Sequence, residues 1–200
     1  MKPPLLLIIT GPPCSGKTTL GTRLANDLKL PYLYKDGIKE LLFNTLGWKD
    51  RPWSRQLGHA SSEILYYVAE ALLSAGCSLT LESNFYPEFT TPKLLAIRAR
   101  YPFEPFIVQC TASREILFQR FKQRAESSQR HPGHLDHTLY AEFEETSFDD
   151  DRYRLEISGT CVKIDTSDFQ RVDYNGLVEQ IRSFVNGLPS FNCEDGGTDG

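Results

Sequence analysis

Eight consecutive residues, Gly11-Pro12-Pro13-Cys14-Ser15-Gly16-Lys17-Thr18, carry the clearest chemistry in the chain. Two glycines five positions apart, then Lys, then Thr, form the phosphate-binding loop pattern. Successive backbone N–H groups and the start of a following helix offer partial positive charge to a polyphosphate. Lys17 can reach the β- and γ-phosphates, and the Thr18 hydroxyl can ligate Mg²⁺. The residues expected to contact a nucleotide are therefore Gly11, Pro12, Pro13, Cys14, Ser15, Gly16, Lys17, Thr18 and Thr19. The flanks agree with this. Leu5-Leu6-Leu7-Ile8-Ile9 is wholly apolar, as in a parallel strand buried on both faces. Leu20, Leu24 and Leu28, with Ala25, recur at helical spacing. An ordinary glycine turn opening a helix is the plainer alternative.

A loop of this kind needs a sheet to hold it, and strand and helix signals alternate along the chain. Short strands are expected at 31–34, 77–82, 106–110 and 161–164. Helices are expected over 36–46, 54–75, 92–100, from Ser113 onward, over 136–146, and through Leu177, Ile181, Phe184 and Val185. The segment 47–53 and the polar stretch 125–135 read as irregular. Such alternation implies crossover connections and a parallel sheet covered on both faces, an α/β fold. Ligands then lie beyond the C-terminal strand ends, where Thr10, Asp36, Glu82, Thr111 and Asp165 fall.

These residues suggest roles. Asp36 is either a helix N-cap or a carboxylate that takes a proton from an acceptor hydroxyl. Lys39, on the same helical face, is placed to hold an anionic part of an acceptor, or is simply solvated. Glu82-Ser83-Asn84 ends the third strand. Glu82 can hold Mg²⁺ with Thr18 or, with Asn84, contact the acceptor. Arg120 and Arg124 lie one turn apart beside Leu117 and Phe121, and Arg130 follows. Arginines over a triphosphate neutralise charge developing in the transition state; pairing with Glu115 or Glu126 is the bland alternative. His131, His134 and His137 are not read as a metal site, because Pro132-Gly133 interrupts the helix and no cysteine flanks them.

Composition narrows the class. Two hundred residues suggest one domain, 1–188, with a lid at about 122–137 and a Gly- and Asp-rich tail, 189–200, expected to be disordered. A net charge of −4 gives no global attraction for nucleic acid, although a local basic groove stays open. Five scattered cysteines read as reduced thiols of a cytoplasmic protein. No apolar stretch approaches membrane-spanning length.

With these residues in view, the chain resembles small P-loop kinases of the group that includes polynucleotide 5′-hydroxyl kinases, chloramphenicol phosphotransferase and zeta-type toxins. The resemblance rests on Gly11 to Thr18, Asp36 with Lys39, Glu82-Ser83-Asn84, and Arg120, Arg124 and Arg130 running into His131-Pro132-Gly133-His134. It implies a three-layer P-loop NTPase fold with a five-stranded parallel sheet in order 2-3-1-4-5. It also implies Asp36 as general base, the arginine-bearing segment as a mobile lid, and Asp165-Thr166 near the adenine. ATP and Mg²⁺ would be the cofactors. The favoured activity is γ-phosphoryl transfer to a hydroxyl of a small molecule. The rivals are a nucleic-acid 5′-hydroxyl kinase and an ATP-dependent switch. Glu82-Ser83-Asn84-Phe85 departs from the segment usual in nucleoside monophosphate kinases, and Lys39 stands where polynucleotide kinases usually carry Arg.

Overall fold

The fold follows from one strand. Leu5–Thr10 (β1) is buried at every position, so its alternate side chains need apolar cover on both faces. Leu6 and Ile8 point into one layer with Leu65, Ala69, Leu73, Leu94 and Ile97. Leu5, Leu7 and Ile9 point into the other with Leu20, Leu24, Leu177, Val178 and Ile181. In the computed structural model, which describes residues 2–146 and 150–188, these layers are helices on the two faces of a five-stranded sheet. The strands Tyr32–Tyr34 (β2), Leu79–Glu82 (β3), Glu104–Thr111 (β4) and Thr160–Asp165 (β5) join β1 in the order β2-β3-β1-β4-β5. Every pairing is parallel. This is the sheet order of the P-loop kinase fold.

Lys17–Leu28 (α1) and Tyr174–Gly187 (α7) cover one face, and Arg51–Ser74 (α3) and Pro87–Arg100 (α4) the other. Lys35–Leu46 (α2) packs on α3. Arg114–Glu126 (α5) and Tyr140–Glu145 (α6) lie over the phosphate loop, where Leu117, Phe121 and Phe143 form a third cluster that Cys14 joins. Ser113 caps α5 by accepting from Ile116 N.

Three boundaries differ from expectation. α3 begins at Arg51 rather than Ser54, because Pro52 sits in the first turn, where its missing N–H costs nothing. Asp50 caps that turn by accepting from Trp53 N. α4 begins at Pro87 for the same reason and continues through Pro92. The helix expected over 136–146 is a 3₁₀ turn, Asp136–Thr138, followed by α6, since Leu139 is not helical. Residues 189–200, read as a tail, lie outside the described residues, as does Cys193.

Candidate active site

The strand ends bring the site together. Ile9 pairs with Glu82, Leu81 with Leu33, and Thr111 with Asp165, so β1 to β5 finish at one edge. The phosphate loop leaves β1 at that edge. A Cβ at Gly11 would overlap the Cys110 carbonyl oxygen, and one at Gly16 the Phe169 ring. Both glycines have positive φ, 134° and 76°. Cys14 also adopts the left-handed conformation, at φ 64°, a strained choice for a non-glycine residue. Gly16 is the N-cap of α1 and offers no side-chain cap, so the first N–H groups of α1 remain open to an anion. Burial pulls the Lys17 ammonium below its ordinary value, against the field of Glu82. It donates to Pro12 O at 2.7 Å.

Glu82 and Thr18 are already joined. The Thr18 hydroxyl donates to Glu82 Oε2 at 2.8 Å, and the Tyr32 hydroxyl donates to the same oxygen at 2.9 Å. Thr18 thus spends its proton on Glu82, leaving its oxygen lone pairs free. Burial pushes the Glu82 carboxyl up, while Lys17 and the two hydroxyls oppose that. Asn84 follows in the turn after β3 and makes no side-chain hydrogen bond among the described residues.

A second cluster faces the first. Asp36, in the first turn of α2, meets Arg130 Nη1 at 2.9 Å. Arg130 also reaches Asp136 through Nε at 2.9 Å and Glu40 at 3.5 Å. Arg124 meets Asp136 at 3.0 Å. Desolvation raises the Asp36 carboxyl, but Arg130, His134 and Arg124 outweigh it and hold it well below the usual carboxylate range. Lys17 and Asp36 lie within each other's electrostatic reach. The segment 130–134 docks on α2. His131 stacks on Phe43 with centroids 5.0 Å apart, and His134 meets the same ring edge-on at 5.3 Å. His134 Nε2 lies 2.8 Å from Glu40. Lys39 sits over the Phe43 ring at 5.2 Å.

Arg120 goes elsewhere. Its Nη2 donates to the Thr166 and Ser167 carbonyls at 2.7 and 3.1 Å, and its guanidinium lies over the Phe169 ring at 5.6 Å. Of the three arginines, Arg124 and Arg130 therefore face Asp36 and Asp136, while Arg120 faces the β5 end. Sequence reasoning missed Tyr32 and Phe169, and gave Thr166 no role of its own. The buried Thr166 hydroxyl lies 2.7 Å from Ser15 O and 2.9 Å from Thr111 O, tying the loop to the ends of β4 and β5. Its position directly after Asp165 at a strand end was the available signal. The aromatics Trp48, Tyr66 and Tyr67 line no common pocket among the described residues: Trp48 meets His131 edge-on, Tyr66 bonds Thr90 of α4, and Tyr67 is exposed.

Several polar atoms in this region await partners. Ser15 Oγ, Arg120 Nη1 and Arg124 Nε are buried and have no hydrogen-bond partner among the described residues. Buried orphan donors are costly unless something accepts from them. A polyphosphate is rich in acceptors.

Comparison with known proteins agrees with this geometry. The family model described as AAA domain (AAA_33) matches residues 6–143. The structure of a "putative kinase" from Chloroflexus aurantiacus J-10-fl is similar, with 36% identity, a TM-score of 0.81, and coverage of 91% of this chain and 98% of that one. A sugar kinase from Janibacter sp. HTCC2649 shares the fold at 16% identity and a TM-score of 0.54, over 92% of this chain and 95% of that one. A chain of the Pnkp1/Rnl/Hen1 RNA repair complex does so at 17% identity and 0.52, over 74% of this chain and 48% of that one. No curated protein sequence matches. No helix among the described residues is long and apolar enough to cross a membrane. With the matched family model spanning the phosphate loop, Asp36, Glu82 and Arg120 to Arg130, the chain belongs to the AAA-domain (AAA_33) family of P-loop kinases.

Proposed function

We propose that this chain phosphorylates a hydroxyl of a small molecule, using ATP and Mg²⁺. The observation that carries the reading is the position of Asp36. A phosphate loop alone serves hydrolases and switches equally well. A carboxylate within electrostatic reach of the loop lysine, and bonded to a lid arginine, supplies the base that a hydroxyl acceptor needs.

The residues present fit the nucleotide and the metal. Thr18 Oγ and Glu82 form an all-oxygen donor pair of the kind Mg²⁺ prefers, and the orphan donors of Ser15, Arg120 and Arg124 suit phosphate oxygens. Thr18 and Glu82 would hold Mg²⁺, whose positive charge would offset the charge developing on the phosphate. Lys17 would exchange the Pro12 carbonyl for the β- and γ-phosphates. Tyr32 holds Glu82 in place. Arg120 and Phe169 flank the base side of the loop, with the Phe169 ring as a stacking platform. Asp36 accepts the acceptor's proton. Its pairing with Arg130 keeps it a weak base at rest, so transfer of Arg130 to the γ-phosphoryl oxygens would free it as charge develops there.

The relatives named as sugar kinase and as part of an RNA repair complex show the fold alone at their identities. The small-molecule acceptor rests on Asp36 and on the absence of any overall positive charge. The test is a screen with γ-labelled ATP across nucleosides, sugars, antibiotics and 5′-hydroxyl oligonucleotides. The expected result is ADP formation that requires an added small hydroxyl compound, with label moving to it. Label transfer to the oligonucleotides alone would favour the nucleic-acid rival. ADP and free phosphate released at one rate with or without acceptor would favour a switch.

A further inference from the structure

We infer that the acceptor is an anion, a hydroxyl compound bearing a carboxylate or phosphate group that Lys35 and Lys39 receive beside Asp36. This rests on the kinase reading above and narrows its acceptor class.

The two lysines lie four apart on α2, on one helical face, with Asp36 next to the first. Both are half-buried. Neither ammonium has a hydrogen-bond acceptor or a carboxylate within bonding distance among the described residues. Lys39 Nζ has only the Phe43 ring, 5.2 Å away, and lies over Gly58 of α3, where an added Cβ would meet it at 3.6 Å. An aromatic face attracts a cation but offers no hydrogen-bond acceptor to its three N–H donors.

The placement also works against local stability. Like charges at i and i+4 repel. Lys35 is the first residue of α2, where the helix dipole disfavours a cation. The titratable and charged groups around Lys39 are Asp36 and Lys35 from α2, Arg51 from α3, and Arg130 and His134 from the segment that docks on α2. Lys35, Arg51 and Arg130 all oppose its charge, and only Asp36 favours it. Burial, with Lys35, Arg130 and Arg51, brings the Lys39 ammonium down to about 8 against the pull of Asp36. Two crowded, half-buried ammonium groups with no bonded anion are an unfinished ion pair, and the proposed base stands beside them. The anion that completes it belongs to the molecule whose hydroxyl Asp36 would serve. Asp36 and Lys39 stand three residues apart on α2, with Cβ atoms about 5–6 Å from each other, so one acceptor can meet both.

The experiment measures label transfer from γ-labelled ATP to matched trios: a neutral sugar alcohol, the corresponding aldonate, and its phosphate monoester. Wild type and the variants Lys39→Met, Lys35→Met and Lys39→Arg are compared, with a thermal melt of each. The expected result is a kcat/KM at least tenfold higher for an anionic member than for its neutral partner. The aldonate and phosphate arms show which anion is read. Lys39→Met raises KM for the preferred anion at least tenfold and leaves ATP affinity unchanged. Lys35→Met raises it in the same direction. In wild type, kcat/KM for the anion falls as pH rises through about 8, where Lys39 loses its proton. Lys39→Arg restores the low KM and removes that fall. Equal use of neutral and anionic members, or a folded Lys39→Met with unchanged KM, overturns the inference and leaves the kinase reading standing. Transfer to no member of the trios, with ADP formed at one rate throughout, overturns both.

Discussion

Replacing Arg130 with Ala tests the join between lid and base. Arg130 is largely buried and bridges Asp36 at 2.9 Å, Asp136 at 2.9 Å and Glu40 at 3.5 Å. Removing one partner of a fully buried pair costs about 3–5 kcal/mol. This site should fall below that range. Asp36 is 45% exposed, so its share is that of a surface pair, at most about 1 kcal/mol. Asp136 is only 8% exposed but keeps Arg124 at 3.0 Å, which leaves about 1–2 kcal/mol for its lost bond. Glu40 keeps His134. The expected loss is about 1–3 kcal/mol, a fall in melting temperature of about 2–12 °C for a chain of this size. The pH dependence has a defined sign. Asp36 is depressed in the fold, so the stability it contributes is present above its unfolded value, about 3.9, and is lost as pH falls through its lower folded value. The part of the gap between wild type and Arg130→Ala that Asp36 supplies, at most about 1 kcal/mol, should therefore be full at pH 7 and vanish at strongly acid pH. Turnover should fall about 10³-fold, the lower end of what a charge-stabilising arginine supplies in phosphoryl transfer. Melts at several pH values and steady-state kinetics measure both effects. A variant that melts within 1 °C of wild type at pH 7 and turns over normally would refute the lid–base contact.

Three further outcomes follow from the same geometry. Thr166→Val leaves the Ser15 carbonyl without its hydroxyl donor, so ATP affinity should fall about tenfold, for about 1.4 kcal/mol of lost loop alignment; Thr166→Ser should restore it in a titration. Phe169→Ala should weaken ATP binding by about tenfold or more, within the worth of one stacked base, while inorganic triphosphate, which has no base, should bind as before by calorimetry. Burial pulls His134 below its ordinary value, against the bond to Glu40, so the unfolded chain takes up the proton first and stability should fall as pH drops below about 6.5. His134→Gln should flatten that part of the stability curve, and an unchanged slope between pH 7 and 5.5 would count against a buried neutral imidazole.

What could be read from the sequence was what is local. The phosphate loop lies within eight residues, Ser113 caps a helix three residues away, and the apolar run of β1 reports burial on both faces. The contacts that complete the site are not local. Thr18 meets Glu82 across 64 residues, Arg130 meets Asp36 across 94, and Thr166 meets Ser15 across 151. The order of the strands makes these neighbours, and no spacing along the chain announces them. Arg120 illustrates the limit. Its helical face was legible from Leu117 and Phe121, but only the fold places the β5 end beside it rather than Asp36. The prolines misled for a different reason. Pro52 lies in the stretch read as irregular, 47–53, and Pro87 ahead of the helix expected over 92–100, yet in a first turn both start helices.

The central claim is that Asp36 serves as base in phosphoryl transfer to a hydroxyl. Its most direct test is single-turnover transfer from γ-labelled ATP to the best acceptor of the screen, comparing wild type with Asp36→Asn, with ATP affinity and melting temperature measured alongside. The expected result is a labelled acceptor whose rate of formation falls about 10²-fold or more in Asp36→Asn while ATP binds normally, the usual worth of a positioned base. Wild-type transfer by Asp36→Asn, with only a lowered melting temperature, would contradict the claim and leave Asp36 as a structural residue at the start of α2.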